Sequence, residues 1–268
     1  MGRIADKFVA LDGQTALVSF VTAGDPTQAH TVPAMHALVR GGTDIIELGI
    51  PFSDPEAEGP TIQASSERAL ANGVTVAKML AMVAEFRQQD STTPVVLMGY
   101  LNSILAQTDF AQAAHQAGVD GLIMVNLPPE EADELKRALE PKGIDLIFLI
   151  APTSVDQRVD YILKQASGFV YYVSLKGITG ASNVKTDEVA ERLAHIRSKT
   201  DLPVCVGFGI KDEATARALG AHADGVVVGS ALVNIMADHA DQPAAAAAAL
   251  SSVLFGTSIE CAGKRFQR

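Results

Sequence analysis

Eight short apolar runs, interleaved with helix-patterned segments, limit most tightly what this chain can fold into. They begin near Ala16 (ALVSFVTAG), Thr43 (TDIIELGI), Thr93 (TPVVLMGY), Gly121 (GLIMVNL), Asp145 (DLIFLIAP), Gly168 (GFVYYVSL), Leu202 (LPVCVGFGI) and Gly225 (GVVVGSALV). Strands buried on both faces of a parallel sheet read this way. The segments between them read as amphipathic helices. Residues 129–140, PEEADELKRALE, open with proline and acids and carry bases later, which suits the helix dipole. Residues 186–198 start at Thr186 with the cap half of a capping box, and 212–219 and 241–254 are further helices.

Eight strand–helix units in alternation predict an α/β fold, a single (β/α)8 TIM barrel with an extra N-terminal helix, spanning 1–268 as one domain. A doubly wound open sheet fits less well, because no GxGxxG follows the first run. The intervals of 50 residues after the second run and 34 after the sixth exceed what one helix needs. Surplus length at the C-terminal face of a barrel builds functional loops, here 51–60 and 176–185, expected to close over a substrate.

Composition excludes several classes of function. With 21 basic and 31 acidic residues the net charge is −10, which disfavours nucleic acid and anionic membranes as partners. Backbone amides could still bind a phosphate. No run of 18 apolar residues occurs, and MGRIADKFVALDG lacks the apolar stretch of a signal peptide. Cys205 and Cys261 form neither a disulfide framework nor a zinc spacing, and no metal is called for. The expectation is a cytoplasmic enzyme or binding domain.

Glu47 is the most informative residue. Strand alternation places it with Ile45 inside the barrel, near the C-terminal end of its strand, with Ile46, Leu48 and Ile50 facing the helices. A buried carboxyl there needs a partner or a raised pKa; it is either a structural glutamate bonded to a loop or a catalytic group. Asp54, Glu56 and Glu58 follow in a loop stiffened by Pro51, Pro55 and Pro60. That loop is either a solvated acidic segment or the source of a second carboxylate for acid/base work. Gly207-Phe208-Gly209 ends the seventh run, Gly229-Ser230 ends the eighth and opens a helix, and Gly180 lies after the sixth. Phosphate binds at this corner of many barrels. Lys176 could act as a Schiff-base nucleophile, although its glycine-rich neighbourhood suggests a solvated amine.

Six segments, TAGDP (22–26), IELGIPFSDP (46–55), GPTIQ (59–63), YYVSLKGITG (171–180), GFGI (207–210) and GS (229–230), resemble the tryptophan synthase α subunit family in order and over almost the whole chain. The resemblance implies a lyase of tryptophan biosynthesis that cleaves indole-3-glycerol phosphate to indole and glyceraldehyde 3-phosphate. It implies an αββα complex in which the β subunit carries pyridoxal phosphate and the α subunit no cofactor. Carried over by position, Glu47 matches the catalytic glutamate, and Glu58 stands where the family commonly has a catalytic aspartate. Phe20, Ile62, Tyr100, Tyr171 and Phe208 fall near the substrate. Thr179 matches the threonine that engages the second acid, and Gly180, Gly209, Gly229 and Ser230 match the phosphate site.

Three positions depart from the pattern. Glu58 adds a methylene, about 1.5 Å of reach. Glu56 replaces an apolar residue on the loop used against the β partner. Asn126 stands where the family commonly has Asp. Two other readings stay open: a catalytically weakened α-like protein that mainly binds and activates a β subunit, and a phosphate-binding barrel aldolase using Lys176.

Overall fold

The computed structural model describes residues 2–174, 186–207 and 213–254. Eight strands, β1 (Ala16–Thr22), β2 (Ile45–Gly49), β3 (Val95–Gly99), β4 (Gly121–Met124), β5 (Asp145–Ile150), β6 (Val170–Val173), β7 (Val204–Gly207) and β8 (Gly225–Val228), fall one in each apolar run. They are all parallel and close in chain order into a barrel, with β1 pairing β8. The expected (β/α)8 barrel is therefore the architecture present.

Alternation along the strands divides the apolar residues into two layers. Val18, Ile45, Val96, Ile123, Ile147, Phe169 and Cys205 fill the barrel. Ile46, Leu48, Val95, Leu97 and Leu122 pack outward against the helical shell. The N-terminal helix Arg3–Ala10 supplies Ile4, fully buried, to the inner cluster, and its Phe8 meets Phe169 with ring centroids 6.2 Å apart. Arg3 also donates to Asp120 at 2.8 Å, and Asp120 further accepts from Arg87 at 2.6 Å and from the Val95 amide at 2.8 Å. This extra helix ties the barrel floor and leaves the other end for chemistry.

Two sequence expectations are corrected. Residues 129–140 are not one helix: a 3-10 turn (Pro129–Glu131) precedes the α-helix Asp133–Leu139, and a second 3-10 turn covers Glu140–Lys142. Pro141 lacks an amide hydrogen, and its ring would meet the carbonyl four residues earlier, so the α-helix stops before it. The long interval after β2 is mostly helical. Its loop, 50–59, is followed by two helices, Pro60–Ala71 and Val76–Arg87, where one would complete the unit. The second long loop, 176–185, lies outside the described residues.

Candidate active site

Glu47 is the third residue of β2, in register with Phe20 on β1 and Val96 on β3. It is 1 % exposed, and its Oε2 finds no hydrogen-bond partner among the described residues. An ionised carboxylate without a partner is expensive in an apolar interior, so the neutral acid wins. Burial, and secondarily the charge of Glu58, push the Glu47 carboxyl up to about 8. The orphaned oxygen favours the chemical reading over a structural glutamate bonded to a loop.

Of the three acids on the 50–59 loop, only Glu58 turns inward. Asp54 and Glu56 are exposed, whereas Glu58 is part-buried, and burial pushes its carboxyl up to about 7. The Glu58 amide donates to the Pro55 carbonyl at 3.0 Å, and Gln63 Nε2 donates to the Glu58 carbonyl at 2.9 Å. Tyr100, just past β3, accepts the Ala57 amide at 3.0 Å and stacks on Phe52 with centroids 4.9 Å apart. Burial holds the Tyr100 hydroxyl up to about 12. Its hydroxyl thus serves the loop that carries Glu58.

An apolar wall adjoins these carboxyls. Phe20, Ile62 and Val233 form one buried cluster with Met98 packed against it. Phe20 lies over Gly49, where an added Cβ would come 2.6 Å from the ring. Tyr171 on β6 faces inward with Phe169 and Cys205, and burial holds its hydroxyl far above the phenol range, with the charges of Glu47 and Glu58 adding to the effect. Gly207 has a packing role beyond the turn read from the sequence: a Cβ there would sit 2.2 Å from the Tyr171 hydroxyl.

The helix end at which the sequence places a phosphate begins beside this wall. Gly229 precedes the helix Ser230–Asp238, and its carbonyl accepts from Leu232 and Val233 at 2.9 and 3.0 Å. The amides of Ser230 and Ala231 therefore open a helix N-terminus, the positive end of the dipole. A Cβ on Gly229 would meet Phe20 at 3.3 Å, so this helix N-terminus and the apolar wall are contiguous. Thr179, Gly180, Phe208, Gly209 and Lys176 lie outside the described residues.

The structure thus gathers Glu47, Glu58, Phe20, Ile62, Tyr100, Tyr171, Gly229 and Ser230 at one end of the barrel. Sequence reasoning missed Met98, Val233 and Gln63. Met98 alternates with Val96 on β3, and Val233 follows Ser230 by three helical positions, so periodicity held both signals. Gln63 acts through a backbone carbonyl and carries no pattern of its own. Asn126 accepts the Leu101 amide at 2.8 Å, so its side-chain oxygen caps the short helix Leu101–Leu105 after Tyr100 without a charge. Among the described residues, no group of His, Cys, Asp or Glu gathers to hold a metal ion.

Comparison with known proteins identifies the family and the fold. The family model for the tryptophan synthase alpha chain matches residues 8–258. A tryptophan synthase alpha chain from Thioalkalivibrio sulfidiphilus is 55% identical over 258 residues, covering 95% of this chain and 97% of the relative. The crystal structure of tryptophan synthase subunit alpha from Legionella pneumophila superposes with a TM-score of 0.88 at 40% identity, covering 96% and 97% of the two chains. A chain of the tryptophan synthase complex from Pyrococcus furiosus gives a TM-score of 0.80 at 35% identity, covering 92% and 98%.

Proposed function

Because this chain belongs to the tryptophan synthase α chain family, we infer from its site that it cleaves indole-3-glycerol phosphate to indole and glyceraldehyde 3-phosphate, in tryptophan biosynthesis. The observation that carries the mechanism is a fully buried Glu47 whose Oε2 has no hydrogen-bond partner among the described residues, its carboxyl lifted to about 8, beside a second raised carboxyl at Glu58. Glu47 is protonated at neutral pH and gives its proton to indole C3, forming an indolenine whose nitrogen bears positive charge. As a carboxylate it then takes the proton of the hydroxyl on the carbon attached to C3. The C–C bond breaks, its electron pair returns to the ring, and the hydroxyl-bearing carbon becomes the aldehyde. One residue can run both steps because its pKa lies near the working pH. Glu58, ionised, stabilises the indole N–H as charge develops there.

The apolar wall of Phe20, Ile62 and Val233 suits a flat indole ring, and the helix opening at Ser230 suits the phosphate. Thr179, Gly180, Phe208 and Gly209 complete the substrate site on this reading, with 1–268 acting as one catalytic domain. The chemistry assigned to these side chains asks for no organic cofactor. Pyridoxal phosphate belongs to a β subunit, with which this chain forms an αββα assembly. Exposed Glu56 sits on the loop expected to face that partner. Among the described residues, no single helix is long and apolar enough to cross a membrane, and we place the enzyme in the cytoplasm.

The test is a steady-state assay with indole-3-glycerol phosphate, with and without a β subunit. Indole and glyceraldehyde 3-phosphate are expected in equal amounts, and faster with the partner. Absence of indole in both arms would leave only the partner-binding role. Borohydride trapping of substrate on Lys176 would establish the aldolase alternative in its place.

A further inference from the structure

We propose that Tyr100 and Gln63 are positioning residues for Glu58, gripping the backbone on either side of it. This rests on the role assigned to Glu58 above. The 50–59 loop leaves β2 and enters the helix Pro60–Ala71, with Glu58 as its inward-turned acid. A glutamate on a loop has more side-chain torsions than an aspartate, so its carboxylate is placed only if the backbone beneath it is fixed.

One side chain, Tyr100, holds both limbs of that loop. Its ring stacks on Phe52 at an interplanar angle of 17°, and its hydroxyl accepts the Ala57 amide at 3.0 Å. Tyr100 is itself a firm platform. It is 4 % exposed, directly follows the last residue of β3, and the next amide along is held by Asn126 beyond the end of β4. Gln63 closes the grip from the helix. Its side-chain amide donates to the Glu58 carbonyl at 2.9 Å, while its own backbone amide donates to Gly59. With the Glu58 amide bonded to Pro55, the N–H before Glu58 and both of its own backbone groups are engaged. Tyr100 thus acts on the reaction through the second acid. The resemblance to the family placed it near the substrate, and the geometry gives its hydroxyl another task.

A shift of about 1 Å at a group that must meet a developing charge can cost on the order of 100-fold in rate. Tyr100→Phe removes the acceptor and keeps the stacked ring; Gln63→Met keeps the length and removes the donor. Each is expected to lower kcat for indole release by roughly 10- to 100-fold, with KM for indole-3-glycerol phosphate held within about threefold. In a Glu58→Gln background both substitutions should lose most of their effect, because the group they place is already gone. A raised KM at unchanged kcat would make Tyr100 a substrate contact and overturn the proposal. So would an undiminished effect in the Glu58→Gln background. If Glu58→Gln alone cleaves at the parent rate, the fault lies in the role given to Glu58, and the grip has nothing catalytic to place. Thermal melts of each variant, run beside the assays, separate a misplaced carboxylate from a lost fold.

Discussion

Replacing Glu47 with Gln keeps the shape of the side chain and removes its proton chemistry, so it tests activity and stability in opposite directions. In the folded chain, burial and the charge of Glu58 lift this carboxyl from 4.5 to about 8. The folded state then holds the proton more tightly than the unfolded one. The resulting stability is complete below pH 4.5 and is lost as pH rises toward 8. At about 1.36 kcal/mol per unit, the loss between pH 4.5 and 7 is on the order of 3 kcal/mol, and somewhat more by pH 8. Gln does not ionise and escapes that slope. At pH 5 the parent and Glu47→Gln should therefore melt close together. At pH 8 the variant should be the more stable by roughly 3 kcal/mol, several degrees in Tm for a barrel of this size. Cleavage of indole-3-glycerol phosphate should fall by at least ~10²–10⁴-fold at both pH values. The assay pairs thermal or urea melts at pH 5 and 8 with indole release. Parallel pH dependence in the two proteins would refute the raised carboxyl. A variant cleaving at the parent rate would refute the catalytic assignment, and a lower Tm at both pH values would favour a structural glutamate.

Glu58→Asp restores the residue the family motif commonly has and withdraws the carboxylate by about 1.5 Å; indole release should stay level or rise, and a tenfold fall in kcat would show a site built around the longer acid. Ser230→Asp puts a carboxylate where the phosphate is expected. KM for the substrate should rise by tenfold or more while Tm holds or climbs, since an acid suits a helix N-terminus; unchanged KM would move the phosphate elsewhere. The pH profile of kcat/KM should be a bell, its rising limb near 7 from Glu58 and its falling limb near 8 from Glu47. A profile flat from pH 6 to 9 would remove the pair from the chemistry.

The barrel was legible because parallel strands buried on both faces leave an unmistakable apolar run, and each run holds one strand. Glu47 was legible for the same reason: an acid in the middle of IIELGI breaks the run at an inward position. Composition could not separate the three loop acids. Glu58 turns inward where Tyr100 and Gln63 hold the loop backbone, and those contacts are tertiary. The 129–140 segment misled because its charge order suits a helix, while Pro141 limits how far one can run. Gly207 read as part of a turn because sequence does not show the hydroxyl of Tyr171 arriving from the neighbouring strand.

Two raised carboxyls side by side would be of little use if they titrated in either order. Their environments set the order. Both are lifted first by burial, but Glu47 is fully enclosed within β2, whereas Glu58 sits on a loop with part of its surface exposed. Glu58 therefore gives up its proton first. Once ionised, its charge raises the cost of ionising Glu47, so loss of the first proton strengthens retention of the second. Between about pH 7 and 8 the leading state is then a carboxylate at Glu58 and an acid at Glu47. On the proposed mechanism that is the state cleavage needs: an acid at Glu47 to protonate the ring carbon, and a fixed negative charge at Glu58 for the nitrogen that turns positive when it does. A bound indole nitrogen gaining charge favours ionised Glu58 still further, so substrate reinforces the arrangement. The same coupling makes the grip on residues 57 and 58 matter, because the position of one carboxylate sets both the charge the indole meets and the proton its neighbour keeps.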